Sequence, residues 1–208
     1  MGYIIQLIFT VPVLIICFTF HELAHGLAAL MMGDKTAKYN GRLSLNPLKH
    51  IDWLGFLMLI VARVGWAKPV PVNAGNFKDP KKGMAITAFA GPMMNIILVF
   101  VSLVFWHLGC NIYNWNEYII MFFYLSVRYN AVFAMFNLLP IPPLDGSKVL
   151  LAFLPDKYYF KFMQYERYGM IIVLILAFTN LSSKIITAGV GNLITKLEKI
   201  VMLLLGVS

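Results

Sequence analysis

Three stretches of this chain carry no charged side chain, and they constrain its fold more than any other feature. They cover residues 1–20, 84–106 and 168–183, and a fourth apolar stretch, 118–144, is interrupted only by Arg128. A helix of about 20 apolar residues crosses the hydrocarbon core of a bilayer. The chain is 60% hydrophobic with a mean hydropathy of +0.77, a composition that soluble domains rarely approach. The sequence therefore predicts a membrane protein.

The predicted fold is an all-α polytopic membrane protein with one domain over residues 1–208. Its core, within about residues 1–150, is built on three long helices. The first is followed by the stop signal Gly33-Asp34, and the third is followed by three prolines within residues 140–143. The predicted helices cover about 3–32, 84–108 and 118–138.

The remaining stretches are shorter or more polar. Residues 53–62 are too few to span a bilayer comfortably, so we expect a re-entrant or interfacial segment there. The prolines within 65–77 favour an extended chain, whereas 34–52 and the basic 79–83 are interpreted as loops. One or two further membrane segments are predicted in the C-terminal part, residues 151–208, at about 168–181 and 185–206.

Most of the positive charge lies in three loops. Four, five and four of the Lys and Arg residues fall in 33–52, 63–83 and 145–167, which makes thirteen of the 17, and the turn 109–117 has none. Cytoplasmic loops of membrane proteins are enriched in Lys and Arg. We therefore expect a multi-pass protein of the cell membrane with these three loops in the cytoplasm. This topology also explains the net charge of +8, so we predict no nucleic-acid partner.

The first apolar stretch ends in a pattern typical of a metal site, His21-Glu22-Leu23-Ala24-His25. On a helix, residues four apart lie on one face, so both imidazoles can bind one Zn²⁺. The glutamate of an H-E-x-x-H motif does not bind the metal but takes a proton from water. An ionisable side chain in a membrane segment costs about 2.5–3.5 kcal/mol, which makes chance a poor explanation. We predict one Zn²⁺ bound by His21 and His25, with Glu22 as the general base.

A catalytic zinc needs a third protein ligand and an open position for water. Asp145 is the best candidate, because it follows the third helix on the inferred cytoplasmic side. His21 lies 17 residues after Ile4, so it is about 26 Å along the first helix and near the same side. The alternative is that Asp145 is only a turn residue, because Asp-Gly after prolines is a strong turn signal. Its pairing with the H-E-x-x-H motif favours metal binding.

Five short segments match one known family: HELAHG (21–26), LNPLKHID (45–52), GWAKPVPVN (65–73), AGPMMN (90–95) and NLLPIPPLDG (137–146). With them, the chain resembles the site-2 protease family of intramembrane zinc metalloproteases, in particular small bacterial and archaeal members without appended regulatory domains. The resemblance covers about residues 10–150. It implies that Asp145 is the third zinc ligand and Glu22 the general base. It also implies that Asn137 steadies the scissile carbonyl or its oxyanion, and a helix C-terminal cap is the alternative role.

Two further sites are candidates for substrate binding. Asn95 follows Gly91-Pro92 in the second long helix. Close packing of that helix, which Gly91 permits, explains Asn95 at least as well as contact with a substrate. The second site has prolines at alternate positions, which suits one edge of an extended substrate, and a plain membrane-surface loop is the alternative. This segment consists of Pro69, Val70, Pro71, Val72 and Asn73.

The function expected from these features is that of a zinc metalloendopeptidase. It would hydrolyse a peptide bond within or next to a transmembrane segment, as in regulated intramembrane proteolysis. The expected partners are a transmembrane protein substrate and the lipid bilayer, and homo-oligomerisation is left open. A substrate helix has to unwind first, because its backbone is hidden in internal hydrogen bonds. Two other interpretations are a metal transporter or sensor and a catalytically idle relative.

Overall fold

The computed structural model describes residues 3–62, 65–155, 157, 169, 171 and 180–206. Within these residues the named elements include seven α-helices and no β-strand, which confirms the predicted all-α class. The helices are α1 (Tyr3–Met31), α2 (Thr36–Tyr39), α3 (Trp53–Ala62), α4 (Pro80–His107), α5 (Glu117–Asn137), α6 (Asp145–Leu151) and α7 (Asn180–Leu205).

Among the described residues, three helices are long and apolar enough to cross a bilayer. They are Ile5–Met31, Pro80–Ile112 and Glu117–Asn137, and they correspond to the three helices that the sequence predicts. The second continues beyond α4 through a π-helical turn, Leu108–Ile112. The helix α3 has ten residues and is about 15 Å long, so it is too short to span the hydrocarbon core. The chain is thus a multi-pass membrane protein.

Two stretches interpreted as loops are partly helical. The helix α4 begins at Pro80, four residues before the predicted start, because the Asp79 side chain accepts a hydrogen bond from Lys82 N at 3.1 Å and caps it. Proline suits the first helical position, where its missing N–H needs no partner. The basic residues 79–83 therefore include the first turn of α4. In the same way, 34–52 contains α2 and a 3₁₀ turn, Pro47–Lys49.

The C-terminal helix α7 packs on the long helices. Val201 is fully buried among Val99 and Leu103 of α4 and Val127 and Ala131 of α5. The helix α7 begins at Asn180, five residues before the predicted start, and it does not meet the apolarity of a candidate span. Most of the other predicted C-terminal segment, 168–181, lies outside the described residues.

The packing of four helices brings distant parts of the sequence together. The helix α1 packs against both α4 and α5, and α6 packs against α4. The turn into α6 is tight, because a Cβ atom on Gly146 would overlap the carbonyl group of Leu138 at the end of α5. Glycine therefore lets α6 begin directly beside α5. As a result, the first residue of α6, Asp145, lies against His21 and His25 of α1.

Candidate metal centre

Three side chains with metal-binding atoms meet between α1 and the start of α6. His21 and His25 lie one turn apart on α1, and Asp145 is the first residue of α6. The two Nε2 atoms are 3.0 Å apart, and Asp145 Oδ2 lies 3.2 Å from each of them. His21 and His25 are only 3% and 9% exposed. No other trio of His, Cys, Asp or Glu in the described part of the chain lies close enough to hold a metal ion.

The donor atoms fit a zinc ion. His25 Nδ1 lies 2.7 Å from the carbonyl oxygen of Thr87, which can only accept, so the proton is on Nδ1 and Nε2 presents a lone pair. His21 Nδ1 is bonded in the same way to Asn95 Oδ1 at 2.6 Å. Asp145 Oδ2 is buried without a hydrogen-bond partner. Three acceptors face one another, and their spacing approaches the separation of about 3.3 Å between ligand atoms of a tetrahedral zinc with bonds of about 2.0–2.1 Å.

A glycine on α4 allows both imidazoles to occupy this position. A Cβ atom on Gly91 would lie 2.5 Å from His25 Cε1 and 2.6 Å from His21 Cε1. Real Cβ atoms do not approach other atoms so closely, and the rings are held between two helices. The prediction that Gly91 permits close packing of α4 against α1 is confirmed.

The Glu22 carboxylate lies beside the three side chains and is held by a distant part of the chain. It is 8% exposed, and its Oε2 accepts a hydrogen bond from the backbone N–H of Val70 at 2.8 Å. Glu22 lines the same cavity as His21, His25 and Asp145, but it is not one of the converging ligand groups. This is the arrangement that a base needs in order to act on water at the metal.

A cavity of about 620 Å³ connects these groups. Asn137, the last residue of α5, also lines it. The Asn137 side-chain amide donates one hydrogen bond to the carbonyl oxygen of Phe133 at 3.0 Å. An amide nitrogen carries a second hydrogen, so Asn137 can donate a second bond into the cavity.

The extended segment 65–73 forms one wall of the cavity, and three of its backbone N–H groups are already engaged. Lys68 N–H donates to the carbonyl oxygen of His50 at 2.9 Å, Val70 N–H to Glu22, and Asn73 N–H to Asp34 at 2.7 Å. Val72 N–H takes part in no hydrogen bond recorded in the described part of the chain. Of the five residues predicted to bind substrate here, three line the cavity, namely Pro69, Val70 and Val72, whereas Pro71 and Asn73 do not.

Asn95 occupies a different place from the predicted substrate contact. It lies in the middle of α4, is fully buried, and does not line the cavity. Its oxygen faces His21, and its NH₂ group lies 2.9 Å from Asn130 Oδ1 and 3.2 Å from Cys17 Sγ. The side chain therefore contacts the His21 imidazole at Nδ1, the ring nitrogen that does not face Asp145.

Asp34 is a functional candidate that the sequence did not single out. Its buried carboxylate accepts hydrogen bonds from Thr36 N and Oγ1, from Asn73 N and from Asn76 Nδ2, the last two at 2.7 Å. Burial alone would raise the pKa of Asp34, but these bonds hold it below its ordinary value of 3.8. In the sequence, Asp34 is visible only as part of a helix stop, because its partners Asn73 and Asn76 are about 40 residues away.

Taken together, the apolar helices and the buried His-His-Asp cluster indicate a membrane metalloprotein, and comparison with known proteins identifies its class as zinc metalloprotease. Residues 110–182 match the model of "Peptidase family M50". The chain is 41% identical to "Putative zinc metalloprotease YwhC" of Bacillus subtilis (strain 168) over 183 residues, which cover 86% of this chain and 84% of that protein. The chain belongs to peptidase family M50, the site-2 protease family.

Two more distant relatives agree with this assignment. "Putative zinc metalloprotease Rip2" of Mycolicibacterium smegmatis is 29% identical over 76% of this chain and 62% of its own length. "Putative zinc metalloprotease MJ0611" of Methanocaldococcus jannaschii is 32% identical over 64% of both chains. No solved structure matches the chain at a significant level. The protein is thus a zinc metalloprotease that uses Zn²⁺ as its cofactor.

Proposed function

We propose that this protein cleaves a peptide bond within or next to a transmembrane segment of a membrane-protein substrate. One zinc ion is bound by His21, His25 and Asp145, and the protein's active site faces the cytoplasm. The observation that carries this proposal is the buried His-His-Asp cluster, which shares one cavity with Glu22 beside helices apolar enough to span a bilayer. The three Lys- and Arg-rich loops support the orientation.

The proton transfers are assigned to Glu22. When zinc is bound, it polarises the scissile carbonyl and makes water acidic enough to attack near neutral pH. The Glu22 carboxylate takes the proton from that water and later gives it to the leaving amine. The Val70 N–H holds Glu22 Oε2 and leaves the other oxygen of the carboxylate for the proton. This bond also fixes the direction of the carboxylate.

Asn137 is assigned to the charge that develops on the carbonyl oxygen. Its amide is anchored by the bond to the Phe133 carbonyl, so its second N–H has a fixed direction. A donor that is already oriented towards the developing charge needs no reorganisation during the reaction. Asn137 therefore stabilises the oxyanion while Glu22 moves the proton.

The substrate is assigned to the groove along Pro69–Asn73, where it lies as an unwound, extended chain. The alternate prolines and the engaged amides of Lys68, Val70 and Asn73 leave Val72 N–H as the available donor of this edge. A substrate strand pairs there with Val72 N–H and with the carbonyl oxygens of the segment. Because a helix has to open before it can pair in this way, substrates with Gly or Pro near the cleaved bond are preferred.

The experiment is cleavage of single-span peptides by the full chain reconstituted in vesicles, together with zinc analysis. We expect Glu22→Gln to retain one zinc per chain and to lose at least about 10²-fold in rate, the lower end of the usual contribution of a general base. The matched control is Glu117→Gln, which makes the same change at an exposed carboxylate in the first turn of α5. Unchanged cleavage by Glu22→Gln, or cleavage of peptides regardless of a central Gly-Pro pair, would overturn the proposal.

A further inference from the structure

A network of hydrogen-bonded polar side chains crosses the otherwise apolar interface of α4 and α5 and ends at the metal centre. Ser102 Oγ and Ser126 Oγ are 2.7 Å apart, and Asn130 Nδ2 lies 2.9 Å from the carbonyl oxygen of Ser126. Asn95 Nδ2 donates to Asn130 Oδ1 at 2.9 Å, and Asn95 Oδ1 lies 2.6 Å from His21 Nδ1. Both asparagines are completely buried. Amides in such a place are costly unless they are fully bonded.

The directions of the hydrogen bonds from Ser126 O to His21 follow from the Ser126 carbonyl group, and the Cys17 carbonyl oxygen, 3.4 Å from Asn95 Nδ2, favours the same direction. The carbonyl oxygen of Ser126 can only accept, so Asn130 has to turn its NH₂ group towards it. The oxygen of Asn130 then faces Asn95, which has to present its own NH₂ group in return. The oxygen of Asn95 is left for His21, and an oxygen there requires a proton on His21 Nδ1. The two ends of an amide have nearly the same shape, so packing alone would not select this direction.

From this polarity we infer that Asn130 and Asn95 are positioning residues that fix the proton of His21 on Nδ1 and so direct its Nε2 lone pair at the metal. His25 obtains the same tautomer in one step from the carbonyl oxygen of Thr87. The inference rests on the proposed role of His21 as a zinc ligand. It assigns a function to Asn130, which does not line the cavity and touches neither metal ligand nor substrate directly.

Two substitutions of Asn130 separate polarity from packing. Asn130→Leu keeps a similar size but removes the closest acceptor of the Asn95 amide, which is then held only by its longer contacts with Cys17. Asn130→Asp keeps an oxygen that accepts from Asn95, so the direction of the hydrogen bond between Asn95 and His21 is preserved. If Asn130 had only a structural role, Leu would be the milder change, because it buries no charge in an apolar interface. The proposed positioning role requires the opposite order: Asn130→Leu should disturb His21 more than Asn130→Asp does.

The experiment uses the full chain in detergent with ¹⁵N-labelled histidine, and the probe ligand is Zn²⁺ alone. In the metal-stripped wild type we expect a pyrrole-type ¹⁵N signal for His21 Nδ1 and a pyridine-type signal for Nε2. We expect Asn130→Asp to keep this tautomer, whereas Asn130→Leu yields a mixture of tautomers. Zinc affinity, measured by chelator competition, should fall about tenfold in Asn130→Leu, as for other groups that orient metal ligands. Ser102→Ala is the control, because it removes a buried hydroxyl of the same network without breaking the hydrogen bonds from Ser126 O to His21.

A wild-type His21 that carries its proton on Nε2 would overturn the inference, and this test needs no variant. The same holds if Asn130→Leu keeps the wild-type tautomer and zinc affinity. If Asn130→Leu does not fold, loss of the wild-type His21 tautomer in a folded Asn130→Asp variant contradicts the proposed positioning role. A failure of the proposed function looks different: His21→Ala would then bind zinc as tightly as the wild type, whatever the tautomer of His21.

Discussion

Glu22 shows how far the chemistry of one residue depends on a remote part of the chain. The helix α1 places it next to His21, but its carboxylate is oriented by the N–H of Val70, 48 residues later. Val70 lies between two prolines that provide no N–H, so the position of the donor is set by the sequence of the segment. A register shift by one residue would place a proline opposite the carboxylate and leave it without this bond.

Gly91 is a position at which the packing around the metal centre leaves no room for a side chain. In Gly91→Ala the new methyl group would displace the imidazoles of His21 and His25 or push α4 away from α1. We expect a loss of about 1–3 kcal/mol in stability, as for other overpacked sites. Because the imidazoles move, we expect zinc affinity to fall at least about tenfold. Thermal unfolding and chelator competition on the purified chain measure the two effects.

Gly191→Ala is the matched control for this substitution. Gly191 lies in α7, and a Cβ atom there meets nothing within 4 Å. Alanine in a helix interior is favoured over glycine by roughly 0.5–1 kcal/mol, so this variant should be slightly more stable and bind zinc normally. Equal zinc affinities for Gly91→Ala and Gly191→Ala would contradict the close-packing account.

The residues that could be predicted from the sequence are those whose relation is local. The spacing of His21 and His25 sets their shared face on any helix, and zinc chemistry then gives Glu22 its predicted role. Asp145 needed a depth argument and a family resemblance, since it is 120 residues away from His25. The places of Asn95 and Asp34 were not predictable, because they depend on hydrogen bonds between segments that meet only in the folded chain.

Among the elements, the extended segment 65–73 is held by carboxylates from another part of the chain. Asp34 follows α1 directly, and its carboxylate accepts hydrogen bonds from Asn73 N–H and the Asn76 side chain. Glu22 holds the same segment at Val70. Two carboxylates associated with the first helix therefore clamp the wall of the cavity at two points.

We expect the Asp34 anchor to make stability pH-dependent at low pH. Folding lowers the pKa of Asp34 from 3.8, so its contribution is present at pH values above 3.8 and is lost as the pH falls through the lower folded value. Asp34→Asn, which turns an NH₂ group towards donors, should cost about 1.5–3 kcal/mol, the usual value of hydrogen bonds to a charged group. The difference in unfolding temperature between wild type and variant should be constant near neutral pH and shrink below about pH 4.

Asp52→Asn is the control for this titration. Asp52 accepts a single bond from Gly55 N at 2.8 Å at the start of α3, and asparagine is as good as aspartate in that position. Its unfolding temperature should differ little from the wild type at any pH. A constant effect of Asp34→Asn down to pH 2 would show that the carboxylate charge does not anchor the segment.

The presence of the long helices was predicted better than the residues at which they begin and end. Long apolar runs identified α1, α4 and α5, because a helix that crosses the hydrocarbon core needs about 20 mostly apolar residues. The predicted start of α4 was four residues too late. The apolar stretch begins only after the basic turn, whereas the helix itself begins at the cap formed by Asp79. The short helix α2 has no apolar run, and so nothing in the hydropathy pattern indicates it.

At the scale of the whole molecule, the proposed topology places the metal centre on the cytoplasmic side. The exposed Lys78 lies in one of the basic loops, and the exposed Tyr113 lies in the turn without Lys or Arg, beyond the opposite end of α4. We expect Lys78→Cys to react with a membrane-impermeant maleimide only after the cells are permeabilised. Tyr113→Cys should react from outside in intact cells. Cys110 is replaced by Ser first, and Cys17 is fully buried.

Labelling of both positions from one side would contradict a crossing by α4. Labelling of Lys78→Cys from outside and of Tyr113→Cys from the cytoplasm would keep the crossing but invert it, and the active site would then face outwards. The distribution of the 17 Lys and Arg residues makes the first orientation the expected one.

The central claim is that His21, His25 and Asp145 bind the catalytic zinc, and X-ray absorption spectroscopy at the zinc edge tests it most directly. For the purified full chain the account predicts one zinc with two imidazole nitrogens and carboxylate or water oxygens at about 2.0–2.2 Å, and no sulfur ligand. Asp145→Asn should lose zinc, and Glu22→Gln should leave the spectrum unchanged. A sulfur neighbour, a single imidazole, or an unaltered zinc site in Asp145→Asn would contradict the account.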